Sequence, residues 1–93
     1  MGKYTIELSK RAAKELKSHY QSGQKATIGR IERIFKELAD DPYSGIGDIK
    51  SLKGSLSGYF SRKINKKDRI VYRVNDDTVT AFVVSAIGHY EDK

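Results

Sequence analysis

The sequence has no cysteine, no tryptophan, one proline and one methionine in 93 residues. Without cysteine there is no disulfide framework and no thiolate metal site. No His/Asp/Glu grouping at ligand spacing stands in for one, so neither metal nor cofactor is expected. The fold must rest on packed apolar faces, in a single domain spanning 1–93, because a chain this short supports only one core. The lack of cysteine fits a reducing cytosol. No run approaches the ~20 apolar residues that span a bilayer, and Met1-Gly2-Lys3-Tyr4 carries no secretory apolar segment. The sequence therefore predicts a soluble, cytoplasmic protein with no membrane partner.

What the chain does have is positive charge, +6 at neutral pH with a pI near 9.6. The excess is concentrated between Tyr43 and Val74. There Lys50, Lys53, Arg62, Lys63, Lys66, Lys67, Arg69 and Arg73 face only Asp48 and Asp68. Such a segment attracts a polyanion, whether nucleic acid, acidic protein or membrane surface. Charge alone does not choose among these.

Tyr4 to Leu8 alternates and predicts a strand, with Ser9 as the N-cap of a helix starting near Lys10. Ala13, Leu16 and Tyr20 mark the apolar stripe of that helix. Gln21-Ser22-Gly23 breaks it. Ile28, Ile31, Ile34, Phe35 and Leu38 then predict a second helix, ending near Asp40-Asp41-Pro42 and antiparallel to the first. The stretch from Tyr43 to Ser57, rich in glycine and serine, reads as a loop with a short extended piece around Lys50 to Leu52. Period two returns in Tyr59 to Asn65, Arg69 to Asn75 and Thr78 to Ile87, giving three hairpin-linked strands. The result is α+β, a strand, two helices and a three-stranded antiparallel sheet with helices on one face. In the middle strand Ile70, Tyr72 and Val74 alternate with Arg69 and Arg73, so Arg69 is expected to point away from the helices. Tyr59 and Phe60, adjacent on a strand, must face opposite sides, one toward the core.

Three ordered blocks carry a family resemblance. These are Leu52-Lys53-Gly54-Ser55-Leu56-Ser57-Gly58-Tyr59-Phe60-Ser61-Arg62-Lys63-Ile64-Asn65, then Asp68-Arg69-Ile70-Val71-Tyr72, then Gly88-His89-Tyr90. Together they resemble the YoeB (Txe) branch of the RelE/ParE toxin superfamily. The resemblance implies a microbial-RNase-like fold and metal-independent cleavage of mRNA in the ribosomal A site, by attack of the RNA's own 2′-hydroxyl. It also implies an acidic antitoxin of the YefM/Phd kind and operator DNA bound only through the toxin–antitoxin complex. A homodimer is among the assemblies it allows. By the same resemblance Arg69, His89 and Tyr90 are catalytic. In-line attack needs a base, an acid and cations for the charge that builds on phosphorus. A guanidinium suits the last task, and a histidine titrates near neutrality.

Lys50 stands where the family carries a glutamate proposed as the general base. It is assigned to the catalytic set as a phosphate-stabilising group, with Lys53, Arg62 and Lys63 as RNA-binding residues. Lys63 replaces an arginine and Asp68 a histidine of the family pattern, and Glu91-Asp92-Lys93 runs past the His-Tyr pair. These departures leave two other readings. One is a catalytically weakened binding module acting through its antitoxin and operator complex, and the other, ranked lower, a gyrase inhibitor of the ParE type. Taken singly the signals are bland: His19-Tyr20 repeats the letters of His89-Tyr90 on a helix, and an isolated arginine is usually a solvated strand residue. Lys66 and Lys67 fall in a turn, where charge is ordinary. Gly45-Ile46-Gly47 is no phosphate loop, because no strand precedes it and no helix comes after it.

Overall fold

Ser9 performs two tasks where the first strand ends. In the computed structural model, which describes residues 3–87, β1 covers Thr5–Leu8 and α1 covers Lys10–Ser22. The Ser9 hydroxyl accepts from the Ala12 N–H at 3.0 Å, the side-chain cap its residue type predicts. It also donates to the Val84 carbonyl at 2.9 Å, which ties the start of the helix to the sheet. Gly23 ends α1 in the left-handed conformation (φ 73°), where a Cβ is disfavoured. After Gln24, α2 runs over Lys25–Asp40.

The face of α1 differs from the expected stripe. Ala12, Leu16 and His19 are buried, whereas Ala13 and Tyr20 are exposed. The two stripes have nearly the same helical spacing, and hydropathy favoured the one with Tyr20. The choice is reversed because the His19 ring finds a partner inside: its Nε2–H donates to the Ala86 carbonyl at 2.7 Å. A satisfied imidazole can occupy a core position. On α2 the buried residues are Thr27, Ile31, Ile34 and Leu38, with Ile28 and Phe35 half-buried.

Four further strands complete the sheet: β2 (Lys50–Ser51), β3 (Tyr59–Lys63), β4 (Arg69–Asn75) and β5 (Thr80–Ser85). One turn of 3-10 helix, Gly54–Leu56, lies between β2 and β3. The sheet has five strands in the order β1-β5-β4-β3-β2. The central β3–β4–β5 meander is antiparallel as expected, but β1 joins the edge of β5 in parallel, pairing Thr5 with Thr80 and Leu8 with Val83. The sheet is therefore mixed. No local pattern announces such a pairing, since it depends on where the two helices return the chain.

The core lies between the helices and one face of this sheet. It joins Ala12 and Leu16 of α1 and Ile31, Ile34 and Leu38 of α2 to Ile70, Tyr72, Ala81, Val83 and Ala86. Each fully buried leucine or isoleucine contributes about 1.5–3 kcal/mol relative to its exposed state. Phe60 settles the question left by its neighbour. It packs on the core side, stacked on Tyr72 at 5.8 Å between centroids, while Tyr59 lies directly opposite Arg73 on the other face.

A second tie closes the surface. The hydroxyls of Tyr4 and Tyr43 donate to the two carboxylate oxygens of Asp76, each at 2.8 Å, joining the residue before β1, the loop after α2 and the β4–β5 turn. Partial burial, then this hydrogen bond and the Asp76 charge, push the Tyr43 phenol up to about 12. Its bonds to Tyr4 and Tyr43 hold the Asp76 carboxyl below its ordinary value. The neutral phenol is thus favoured by the fold. Its share of stability is complete below the ordinary tyrosine value of about 10 and is lost as pH rises toward 12. Asp76 acts at the other end of the scale, its share being lost as pH falls through its lowered value. Ultraviolet titration should show one tyrosine ionising near 12 whose midpoint falls toward, but not to, the ordinary tyrosine value in Asp76→Asn, because burial still holds it up. A midpoint unmoved by that substitution would dismiss the link.

Candidate functional site

Residues directly paired across a sheet share a face, so the register lays out the surface turned away from the helices. One rung is Lys63 of β3 opposite Arg69 of β4. The next joins Lys50, Ser61, Val71 and Ser85. A third joins Tyr59, Arg73, Phe82 and Glu7. Arg69 therefore lies on the face away from the helices, on the same face as Lys50 and Lys63. It is half-buried, whereas Lys50, Lys63 and Arg73 are exposed.

The Lys63–Arg69 rung is electrostatically unfavourable in isolation. Like charges directly opposite each other destabilise a sheet, and Arg73 adds a third cation further along the same face of β4. A fold that keeps such a rung offers a place for an anion. Arg73 is turned over the Phe82 ring, with its guanidinium carbon 5.2 Å from the centroid. Beside this pair lies a shallow cleft of about 270 Å³ lined by Glu7, Arg73, Asn75, Thr78, Thr80 and Phe82. In the second rung the Ser85 hydroxyl is buried and, among the described residues, has no hydrogen-bond partner.

Lys50 sits on the short β2, its Nζ 3.7 Å from an Asp48 carboxylate oxygen, with both side chains more than half exposed. A pair this exposed is weak and leaves the ammonium available to a stronger anion. Lys53 is exposed just before the 3-10 turn.

Arg62 is not on this surface, and its assignment to RNA binding is corrected. Strand alternation that turns Lys63 outward turns Arg62 inward, and its side chain is wholly buried. Every guanidinium nitrogen is engaged. Nε donates to the Tyr72 hydroxyl at 3.1 Å, Nη1 to Glu37 Oε1 at 3.0 Å and to the Ile46 carbonyl at 3.5 Å, and Nη2 to the carbonyls of Pro42 and Ser44 at 3.1 and 2.8 Å. Arg62 grips its own chain, anchoring the loop that leads to Lys50. Gly45 and Gly47 acquire their meaning here. Both have positive φ, 130° and 100°, and a Cβ on Gly45 would run into the Glu37 carboxylate. The loop needs glycine to lie against this ion pair.

His89 and Tyr90 lie outside the described residues. The chain just before them is held from α1: the N–H groups of Ala86 and Ile87 donate to Glu15 Oε1 at 2.7 and 3.1 Å, and Ala86 O accepts from His19. Neither Glu15 nor His19 stood out in the sequence. The only signal was their i, i+4 spacing on a helix face. Burial works to raise the Glu15 carboxyl, but the Ala86 N–H, Arg11 and the Ile87 N–H outweigh it and hold it below its ordinary value. Among the described residues no cluster of His, Asp or Glu could hold a metal.

Residues 9–90 match the family model described as "YoeB-like toxin of bacterial type II toxin-antitoxin system". The chain belongs to the YoeB toxin family. It is 45% identical over 69 residues to the toxin YoeB of Mycobacterium bovis, a match covering 74% of this chain and 79% of that one. Among solved structures it is similar to the YoeB dimer of Staphylococcus aureus, with 31% identity, TM-score 0.79 and coverage of 95% of this chain and 99% of that one. The YoeB subunit of the heterotetrameric YoeB–YefM toxin–antitoxin complex of the same organism gives 32% identity, TM-score 0.77 and coverage of 94% and 98%. The chain is thus a toxin of a type II toxin–antitoxin system with the α+β fold of its family.

Proposed function

We propose that this toxin is a ribosome-dependent endoribonuclease that cuts mRNA in the A site, by attack of the RNA's 2′-hydroxyl on the adjacent phosphate and without a metal. The observation that carries the reading is the Lys63–Arg69 rung, two cationic residues paired across β3 and β4 on the side of the sheet turned away from the helices. Arg69 stabilises the charge that builds on phosphorus, since its fork can bind two phosphate oxygens at once. Lys50, Lys53 and Lys63 hold flanking phosphates and set the register of the strand. His89 and Tyr90 supply acid–base or positioning groups, and the products carry a 2′,3′-cyclic or 3′-phosphate end.

The partners accord with the same chemistry. A chain of net charge +6 suits an acidic antitoxin, and the Staphylococcus aureus YoeB–YefM complexes indicate its kind. Operator DNA would be met through that complex, a homodimer would follow the YoeB dimer, and the site of action is the cytoplasm. Electrostatic attraction speeds such an encounter. Induced expression should arrest growth and give codon-linked cuts in a translated reporter, read by primer extension. Growth arrest without such cuts would overturn the nuclease reading while leaving the toxin family intact.

A further inference from the structure

The last described residues present a problem of support. β5 ends at Ser85, and β1, its outer partner, stops at Leu8 opposite Val83. Ala86 and Ile87 thus run on beyond both, with no strand partner for their amides among the described residues. The helix takes over. Glu15 Oε1 receives both N–H groups, and His19, one turn further along the same face of α1, donates to the Ala86 carbonyl. Arg11, one turn earlier, holds the Glu15 carboxylate at 2.9 Å. Both hydrogen-bonding groups of Ala86 are thereby fixed to a rigid element, and Ala86 itself is fully buried in the core.

The register of β5 reinforces this. Tyr72 pairs with Val83 but Val71 with Ser85, so one residue is extra on the β5 side. A bulge of this kind shifts the alternation and re-aims the residues beyond it. Ala81 and Val83 face the core, and after the extra residue Ala86 faces it too. The clamp sits directly after this change of phase, just before His89 in the sequence.

We propose that Glu15 and His19 are positioning residues for the reaction: they fix the peptide at Ala86 and Ile87, which precedes the His89-Tyr90 pair in the sequence, and act on catalysis through that pair. This rests on the endoribonuclease reading. Neither residue touches RNA. Acid–base groups must be held within a fraction of an ångström, and a misplacement of about 1 Å costs on the order of 10²-fold in rate.

Single-turnover cleavage on programmed ribosomes tests it. Glu15→Ala, which keeps the helix propensity of α1, should slow cleavage about 10²-fold while the half-saturating ribosome concentration stays put. Glu15→Gln, which retains an acceptor oxygen, should restore most of the rate. Added to the double variant His89→Gln, Tyr90→Ala, Glu15→Ala should cost nothing further, whereas added to Arg69→Ala it should multiply the loss. Multiplication in the His89→Gln, Tyr90→Ala background would overturn the proposal. Amide hydrogen exchange reads the clamp without any activity: Ala86 and Ile87 should lose protection in Glu15→Ala while β4 and β5 keep theirs, and unchanged protection would also overturn it. Wild-type protein that cleaves nothing would defeat the endoribonuclease reading and the catalytic role with it, yet the exchange result would still report on the clamp.

Discussion

Glu37→Leu should lower the melting temperature by roughly 12–40 °C, the largest stability loss expected from any single surface-accessible side chain here. Arg62 is wholly buried, and Glu37 Oε1, at 3.0 Å, is the anion bonded to it. Removing that carboxylate strands a guanidinium inside the fold and costs about 3–5 kcal/mol. A domain of this size has a total stability of only about 5–15 kcal/mol. The Ile46 N–H also loses its acceptor, at 2.9 Å, so the loop toward Lys50 loosens with the core. The double variant Glu37→Leu, Arg62→Met should recover much of the loss, because no charge is left stranded. The pair also responds to acid. Burial tends to raise the Glu37 carboxyl, but the Ile46 N–H, Arg33 and Arg62 hold it below its ordinary value. Its contribution is complete above the ordinary carboxylate range and is lost as pH falls through the lowered value. A calorimetric shift under about 4 °C for the single variant would show that the guanidinium is not uncompensated, since ~1 kcal/mol corresponds to roughly that much.

The second large effect is on rate. On the endoribonuclease reading, Arg69→Ala should slow cleavage by about 10²–10³-fold, the usual loss when one donor to a developing oxyanion is removed. Its stability should not fall with its activity. The substitution relieves the repulsion with Lys63 across the β3–β4 rung, so the melting temperature should hold or rise. Arg69→Lys keeps the charge but not the two-pronged geometry and should recover only part of the rate. Single-turnover cleavage and thermal melting on the same preparations decide the matter. Loss of activity together with loss of stability would mean that Arg69 is a structural residue.

Features that act through a residue's own backbone were legible in the sequence. Ser9 as a cap and Gly23 as a helix stop needed only local chemistry, and so did the bounds of β4 at Arg69 and Asn75. The face of α1 was not, because Ala12-Leu16-His19 and Ala13-Leu16-Tyr20 differ only in which polar atoms find partners from a distant strand. Arg62 was misjudged although its signal was present. The alternation that set Arg69 and Arg73 outward on β4 also sets Arg62 inward, in phase with Phe60 on β3 and with Ile64 just after it. Composition argued for phosphate, and periodicity argued for the core. The paired glycines at 45 and 47, with no phosphate to cradle, were the second hint that something bulky lay beneath that loop. Glu15 was invisible, since a glutamate on a basic helix gives no sign that it serves the far end of the chain.

The parallel edge pairing of β1 with β5 has a consequence for how the molecule comes into being. Thr5 finds its strand partner only at Thr80, and the Ser9 N–H finds its acceptor at Val83. A chain growing from its N-terminus must therefore carry both helices and the loop after them without a neighbour for its first strand. Contacts so far apart in sequence form late and slow the search for the native state. Until β5 has been made, the helices lack the sheet edge that organises them, and the cationic rung of β3 and β4 has no finished frame. The fold is thus completed last at the seam where β1 meets β5.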